Sequence, residues 1–305
     1  VFNSNQRNAQ DFVIPSKKES VFSRIVSSLF GGAKIRGVDV SHHNEVDFYA
    51  LKASGIDFVI LKATEGATWV DDKFAEYWRK ALDAGLLVMT YHFFRSNVDG
   101  VVQAKHHIDT IQEFLLASGY KTPVIWFDIE TEDGTTITNR RNRLLDALNY
   151  SVSKGFQAGV YSSPYLWGKL IGTVDWIKDF LGWVAHWINA IKPSLPAGWI
   201  EEKTITWQNG IYPTYDWVEP VEGVAGAVDT DYYFGTREDL EQMLGVSVMD
   251  CCDELRAEIV RLEQLINGNT KRGKRANRRL DNLEPRVNII ELLVQKITDI
   301  FCPPQ

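Results

Sequence analysis

Cysteine is scarce in this chain: there are three in 305 residues, and Cys251, Cys252 and Cys302 all fall in the last fifth. The first 250 residues have none. They must therefore be held by an ordinary apolar core, which excludes a small disulfide-stapled scaffold. Long apolar runs are missing too, and none approaches the about 18–20 residues of a membrane-spanning helix. The net charge of −7 provides no general argument for nucleic-acid binding. Of the six histidines, His42-His43 and His106-His107 are adjacent pairs whose side chains diverge on a strand or helix. Neither pair has metal-ligand spacing, so no metal is expected. Glycine-rich phosphate loops are absent, and Ser162-Ser163 lacks the context of a nucleophile elbow. No cofactor is expected.

Apolar and aromatic residues are abundant. The apolar fraction is 45%, with 10 Trp, 11 Tyr and 15 Phe, enough for a well-packed core and too much for a disordered chain. Ten tryptophans also exceed what such a core needs; most of them read as core, and part of the surplus suits a groove where aromatic faces stack on sugar rings. From Ile35 to about Gly245, short apolar runs alternate with helical patterns. Strands are predicted near 35–40, 57–63, 86–93, 123–128, 157–161, 181–187, 203–208 and 225–230. Helices are predicted near 72–84, 101–118 and 138–154. Runs such as Phe58-Val59-Ile60-Leu61 do not alternate, as suits strands buried on both faces of a parallel sheet. The fold class expected is α/β: an irregular, closed β/α barrel whose last three strands lie too close together for full helices between them.

Two appendages flank this barrel. Residues 1–34 read as a leader with apolar positions 21, 22, 25, 26, 29 and 30 on one helical face, stopped by Gly31-Gly32. That helix could pack on the next domain or dock to a partner or membrane surface. Residues 246–305 are charged and heptad-like. They suit either an antiparallel helical hairpin, with Cys302 brought near Cys251 or Cys252, or one interrupted coiled coil joining several chains. Clustered cysteines there point to an oxidising location, with one thiol free or paired between chains. Between the heptads, residues 271–279 carry six basic side chains in nine. This run reads as a solvated loop or as a contact for phosphate-bearing polymers, lipid or nucleic acid.

The chemistry centres on Val124-Ile125-Trp126-Phe127-Asp128-Ile129-Glu130. An apolar strand ends in two carboxyls one residue apart, and alternation points both to one side. At the C-terminal mouth of a barrel that is the catalytic position. Two close carboxyls perturb each other, so one can keep a proton while the other is charged, as glycoside cleavage requires. Alone the pair is a weak signal. Acids at other strand ends strengthen it: Asp39 in Gly37-Val38-Asp39-Val40-Ser41-His42, Glu65 in Lys62-Ala63-Thr64-Glu65-Gly66, and Asp229 in Val228-Asp229-Thr230-Asp231, read as the end of the eighth strand. Five acids gathered at one mouth would cost stability through mutual repulsion, which argues against a purely structural role.

Taken in order, these motifs, with Tyr91-His92-Phe93, Val160-Tyr161-Ser162 and Thr206-Trp207-Gln208, resemble the family 25 glycoside hydrolases, the muramidases of bacteria, fungi and phage endolysins. The resemblance covers roughly residues 35–236. It implies an eight-stranded barrel with about five helices, and hydrolysis of the β-1,4 bond from N-acetylmuramic acid to N-acetylglucosamine in peptidoglycan. It also implies roles: Glu130 as general acid, Asp128 as stabiliser of the transition state or of the substrate's N-acetyl group, and Asp39 and Asp229 as supporting carboxyls. Glu65, Tyr91, Phe93, Tyr161, Trp187, Trp207 and Gln208 match the substrate groove. Asp231 and the His186-Trp187-Ile188 segment depart from the family's usual pattern, and no wall-binding repeat follows the barrel.

Leader and helical tail suit attachment to a larger assembly, through a homo-oligomer or through virion proteins, at an extracellular or virion-associated location. Two other readings remain. A chitinase-like hydrolase normally has a further Asp two residues before the pair, where this chain has Trp126. A catalytically silent barrel would serve as a wall-binding or structural module.

Overall fold

The computed structural model describes residues 33–246. The chain divides into two units, Val1–Val246 and Ser247–Gln305. The expectations for the leader helix, the heptad tail, the basic run and Cys251, Cys252 and Cys302 lie outside the described residues.

The strands in chain order are β1 (Lys34–Val40), β2 (Phe58–Glu65), β3 (Trp69–Val70), β4 (Leu87–Phe93), β5 (Val124–Asp128), β6 (Gln157–Ser162), β7 (Leu181–Ala185), β8 (Thr204–Tyr212) and β9 (Val228–Phe234). Strand β1 pairs with β2 on one side and with β9 on the other, so eight strands close into a barrel. The two-residue β3 is a flap paired antiparallel to the end of β2. The eight expected strands are the eight barrel strands, within a few residues at each boundary.

One direction differs from expectation. All barrel pairs are parallel except those of β9, which runs antiparallel to both β8 and β1. The β8–β9 connection contains no helix. The chain therefore turns back beside β8 instead of crossing over, and no crossover means no parallel neighbour. Asp229 thus lies at the start of the last strand rather than at its end, and it reaches the mouth because that strand runs downward.

The helices are α1 (Phe48–Ala53), α2 (Phe74–Asp83), α3 (Gly100–Ser118), α4 (Ile137–Ser153), α5 (Pro164–Leu170) and α6 (Arg237–Leu244), six among the described residues where the resemblance implied about five. Helices α2, α3 and α4 match the three predicted from periodicity. Asp99 caps α3 by accepting from the Val102 N–H, and Gly119 ends the helix with a left-handed φ of 73°. Between β7 and β8 there is only the 3₁₀ turn Glu201–Lys203, as the spacing of the late strands required. No described helix is long and apolar enough to cross a membrane.

Aromatic rings fill the barrel. Trp183 lies 4.4 Å from Tyr161, 5.9 Å from Trp126 and 6.1 Å from Tyr91, centroid to centroid. The Trp126 indole fits because residue 159 on the next strand is glycine, where a Cβ would sit 2.3 Å from the ring. Six of the ten tryptophans are buried (Trp78, Trp126, Trp167, Trp183, Trp199 and Trp207), so most of them belong to the core. Truncating one of these to alanine costs about 3–5 kcal/mol.

A polar cluster lies behind β2 and β4, under α3. Thr64, Thr90, His92, Gln103 and His107 are all buried. The Gln103 amide donates to the Arg95 and Val98 carbonyls, so its Oε1 must accept from the Arg95 N–H and from His92 Nε2. The remaining protons follow in sequence. His92 Nδ1 accepts from the Thr64 hydroxyl, Thr64 Oγ1 accepts from His107 Nδ1, and His107 Nε2 accepts from Thr90. Both rings are neutral in this scheme. Burial, the dominant cause, lowers His92 to about 4 and His107 well below its usual value. As adjacency on a helix requires, His106 and His107 diverge, one half-buried at the helix surface and one in the core. His42 and His43 occupy a turn instead, and their rings lie 3.8 Å apart.

Candidate active site

Asp128 closes β5, and the ladder continues past it. The Phe94 N–H donates to the Asp128 carbonyl and the Ile129 N–H to the Tyr161 carbonyl, each at 3.0 Å, while the Ser162 hydroxyl holds the Ile129 carbonyl. The backbone carrying Asp128 and Glu130 is thus gripped from β4 and β6. Residues Glu65, Phe93, Asp128 and Tyr161 share one level of the barrel through their strand registers. Asp39 and Asp229 are register partners across the β1–β9 seam.

These acids differ in environment. Asp128 is buried, and its Oδ1 has no hydrogen-bond partner. Burial, then the Glu130 charge, pushes it well above the usual carboxyl range. Glu130 is half-buried and raised by burial, against the pull of Lys62. Asp229 is raised to about 6, first by burial and then by Glu130. Glu65 goes the other way. Burial favours its neutral form, but the hydrogen bonds and charges of Lys62 and Arg95 outweigh this and hold it ionised. It receives Lys62 Nζ at 2.9 Å and Arg95 Nε at 2.9 Å.

Below the pair, Gln208 organises the floor. Its Oε1 accepts from the Tyr161 hydroxyl and from Trp187 Nε1, both at 2.9 Å, and its Nε2 donates to Asp39 Oδ2 at 2.7 Å. One amide therefore ties an acid from β1 to two aromatic groups flanking the mouth. Beside Glu130 opens a cleft of about 390 Å³, lined also by Tyr161, Tyr165, His186 and Trp187. A slightly larger hollow of about 460 Å³ lies between α2 and α3 and contains none of the mouth residues.

The structure thus brings together Asp39, Glu65, Tyr91, Phe93, Asp128, Glu130, Tyr161, Trp187, Gln208 and Asp229. Trp207 does not join them. It has the opposite parity to Gln208 on β8, so its ring packs on Phe234 and Tyr232 and its Nε1 donates to the His186 carbonyl. Lys62 was missed as a site residue although it lies in a quoted motif. Its side chain is 10% exposed, and its Nζ sits 4.7 Å from the Phe93 ring centroid and 5.0 Å from that of Trp69. The signal was a lysine inside an otherwise apolar strand, which must either point into a polar interior or be paired. Arg95, which reaches both Glu65 and Asp133, follows β4 and carried no such mark.

A closed barrel whose mouth holds two carboxyls, one deep and one opening on an aromatic cleft, is the architecture of a barrel glycosidase. Residues 38–211 match the family described as Glycosyl hydrolases family 25, more than half of the chain, and the protein belongs to that family. The autolytic lysozyme of Clostridium acetobutylicum is 28% identical over 200 residues, covering 65% of this chain. The match spans 56% of that relative's length. Lysozyme M1 of Streptomyces globisporus is 27% identical over 214 residues, 66% of this chain and 68% of the relative. The crystal structure of the bacterial lysozyme from Streptomyces coelicolor superposes with a TM-score of 0.57 at 26% identity, covering 70% of this chain and 98% of that one.

Proposed function

We propose that this chain is a muramidase, hydrolysing the β-1,4 bond from N-acetylmuramic acid to N-acetylglucosamine in peptidoglycan. The observation that carries the reading is the unequal carboxyl pair. Glu130 faces the aromatic cleft, where it can meet a glycosidic oxygen, whereas Asp128 lies deeper with a buried oxygen that no protein group satisfies. Glu130 is the general acid, kept protonated by burial. Asp128 faces the sugar's positive charge as the bond breaks, or the N–H of its N-acetyl group. Burial raises both acids and the Glu130 charge raises Asp128 further, so the pair holds a proton more tightly than a free carboxyl does. Lys62 limits how far both are raised.

Asp39 and Asp229 support the pair, and Glu65, Tyr91, Phe93, Tyr161, Trp187 and Gln208 shape the groove. A chitinase-like reading lacks its third acid, since Trp126 fills the barrel interior at that position. The substrate lies outside the bacterial cytoplasm, so we place the protein as secreted or virion-associated, held in an assembly through its heptad tail. Reducing-end analysis of digested peptidoglycan, comparing the wild type with Glu130→Gln, tests the assignment. New N-acetylmuramic acid reducing ends from the wild type alone are expected. Equal release by both proteins would remove Glu130 from its role, and no release by either would leave the silent barrel as the correct reading.

A further inference from the structure

A sixth acid lies beneath the mouth. Asp231 is 1% exposed and follows Asp229 by two residues on β9, so alternation points both into the barrel beside Asp39. Its Oδ1 accepts from Trp183 Nε1 at 2.8 Å. Its Oδ2 is buried and receives no N–H or hydroxyl hydrogen. The Asp39 carboxyl, however, is within hydrogen-bonding reach of Asp231, and it already accepts from Gln208. Two carboxylates in contact offer only acceptors, so a hydrogen bond between them requires a proton.

We propose that Asp39 and Asp231 hold one proton between them, and that Asp231 is a positioning residue which keeps Asp39, and through it Gln208, in place beneath the glycan. Every described ionisable group acting strongly on either acid is itself acidic. Asp229 faces both, while Tyr91, Tyr161, Asp128 and Glu130 face this cluster from β4, β5 and β6. Among the described residues no cation is a main influence on either acid, so burial and the neighbouring acids favour the protonated pair. When the proton leaves, two buried charges repel across the seam where Gln208 binds. Asp39 is then pushed from the amide that orients Tyr161 and Trp187, and the site loses its shape as pH rises. Asparagine at position 231 would reproduce the protonated arrangement permanently, because its carbonyl can accept from Trp183 and its NH₂ can donate to Asp39.

The activity part of this inference rests on the muramidase reading; the shared proton does not. Carbon-13 NMR titration of the aspartate carboxyls reads the proton whether or not glycan is cut. In the wild type, Asp39 and Asp231 should titrate as a coupled pair, with one step well above the ordinary carboxyl range that disappears in D231N. On peptidoglycan, D231N should keep its activity near the wild-type optimum and extend its alkaline limb to higher pH. A purely structural role would instead lower activity equally at every pH. Two fully ionised carboxyls in the wild type at pH 7 would overturn the proposal even if D231N failed to fold, as would superimposable pH profiles. A wild type that shows the coupled step but cuts no peptidoglycan would keep the shared proton and defeat the muramidase reading instead.

Discussion

Two buried polar clusters share this barrel, one behind β2 and β4 and one in its mouth. The histidine cluster is closed: each ring nitrogen, hydroxyl and amide hydrogen among Thr64, Thr90, His92, Gln103 and His107 has one partner and one direction. The mouth is open. Asp128 Oδ1, Asp229 Oδ1 and Asp231 Oδ2 are all buried and receive no N–H or hydroxyl hydrogen. A satisfied network stabilises a fold, whereas an unsatisfied one costs stability and persists where a ligand or a proton completes it. The clusters also oppose each other in pH. The neutral histidines have lowered pKa values, so the unfolded chain takes up protons first as pH falls below about 6.5, and stability is lost on the way down. The mouth acids are raised, so their protonated forms favour the folded state, and that contribution is lost as pH rises.

The sharpest way to break this contrast is Glu130→Gln. Glycan cleavage should fall by about 10²–10⁴-fold, the range for losing a general acid. Thermal stability at pH 7 should hold or rise, because a neutral amide replaces an acid whose ionisation the buried cluster disfavours. A lowered melting temperature, measured by calorimetry, would show that the mouth acids stabilise the fold.

Second in size is the effect of acid on the histidine cluster. Urea unfolding followed from pH 7 to pH 4 should show a loss approaching about 3 kcal/mol from His92 alone, whose pKa falls from 6.5 to about 4. His107→Ala should cost about 2–4 kcal/mol at pH 7, through a cavity, an unpaired Thr90 hydroxyl and the lost donor to Thr64, and should reduce the acid dependence. Stability that stays flat down to pH 4 would mean that the rings are not held neutral.

Lys62→Met tests the cation that tempers the mouth. Without it, Asp128 and Glu130 titrate at higher pH, so the rate profile should shift upward while the fold survives. An unmoved profile would separate Lys62 from the pair. The smallest effects should come from the two tryptophans assigned to the groove by resemblance. Trp187→Ala should raise KM several-fold, because Trp187 is 45% exposed and lines the cleft. Trp207→Phe should leave KM within about twofold and cost only about 1–2 kcal/mol of stability, as expected for trimming a buried ring that contacts no substrate. The reverse ranking would return Trp207 to the groove.

Much of this was legible in the chain itself. All eight barrel strands and three helices followed from apolar runs and their period, because burial on both faces marks a strand and a single apolar stripe marks a helix. The family motifs, with their acids at strand ends, pointed to Asp128 and Glu130 for the same local reason: alternation along one strand places them together. What spacing cannot show is how one strand stands against another. The antiparallel run of β9 depends on a connection without a helix, and it decides why Asp229 reaches the mouth and where Asp231 lies. Whether an aromatic ring faces a groove or the outside of the wall is a matter of parity and neighbours, so Trp187 and Trp207 looked alike until packing separated them. The proton counts in both polar clusters arise from contacts between residues far apart in sequence. Those contacts exist only once the barrel closes, and with them the difference between a satisfied network and a reactive one.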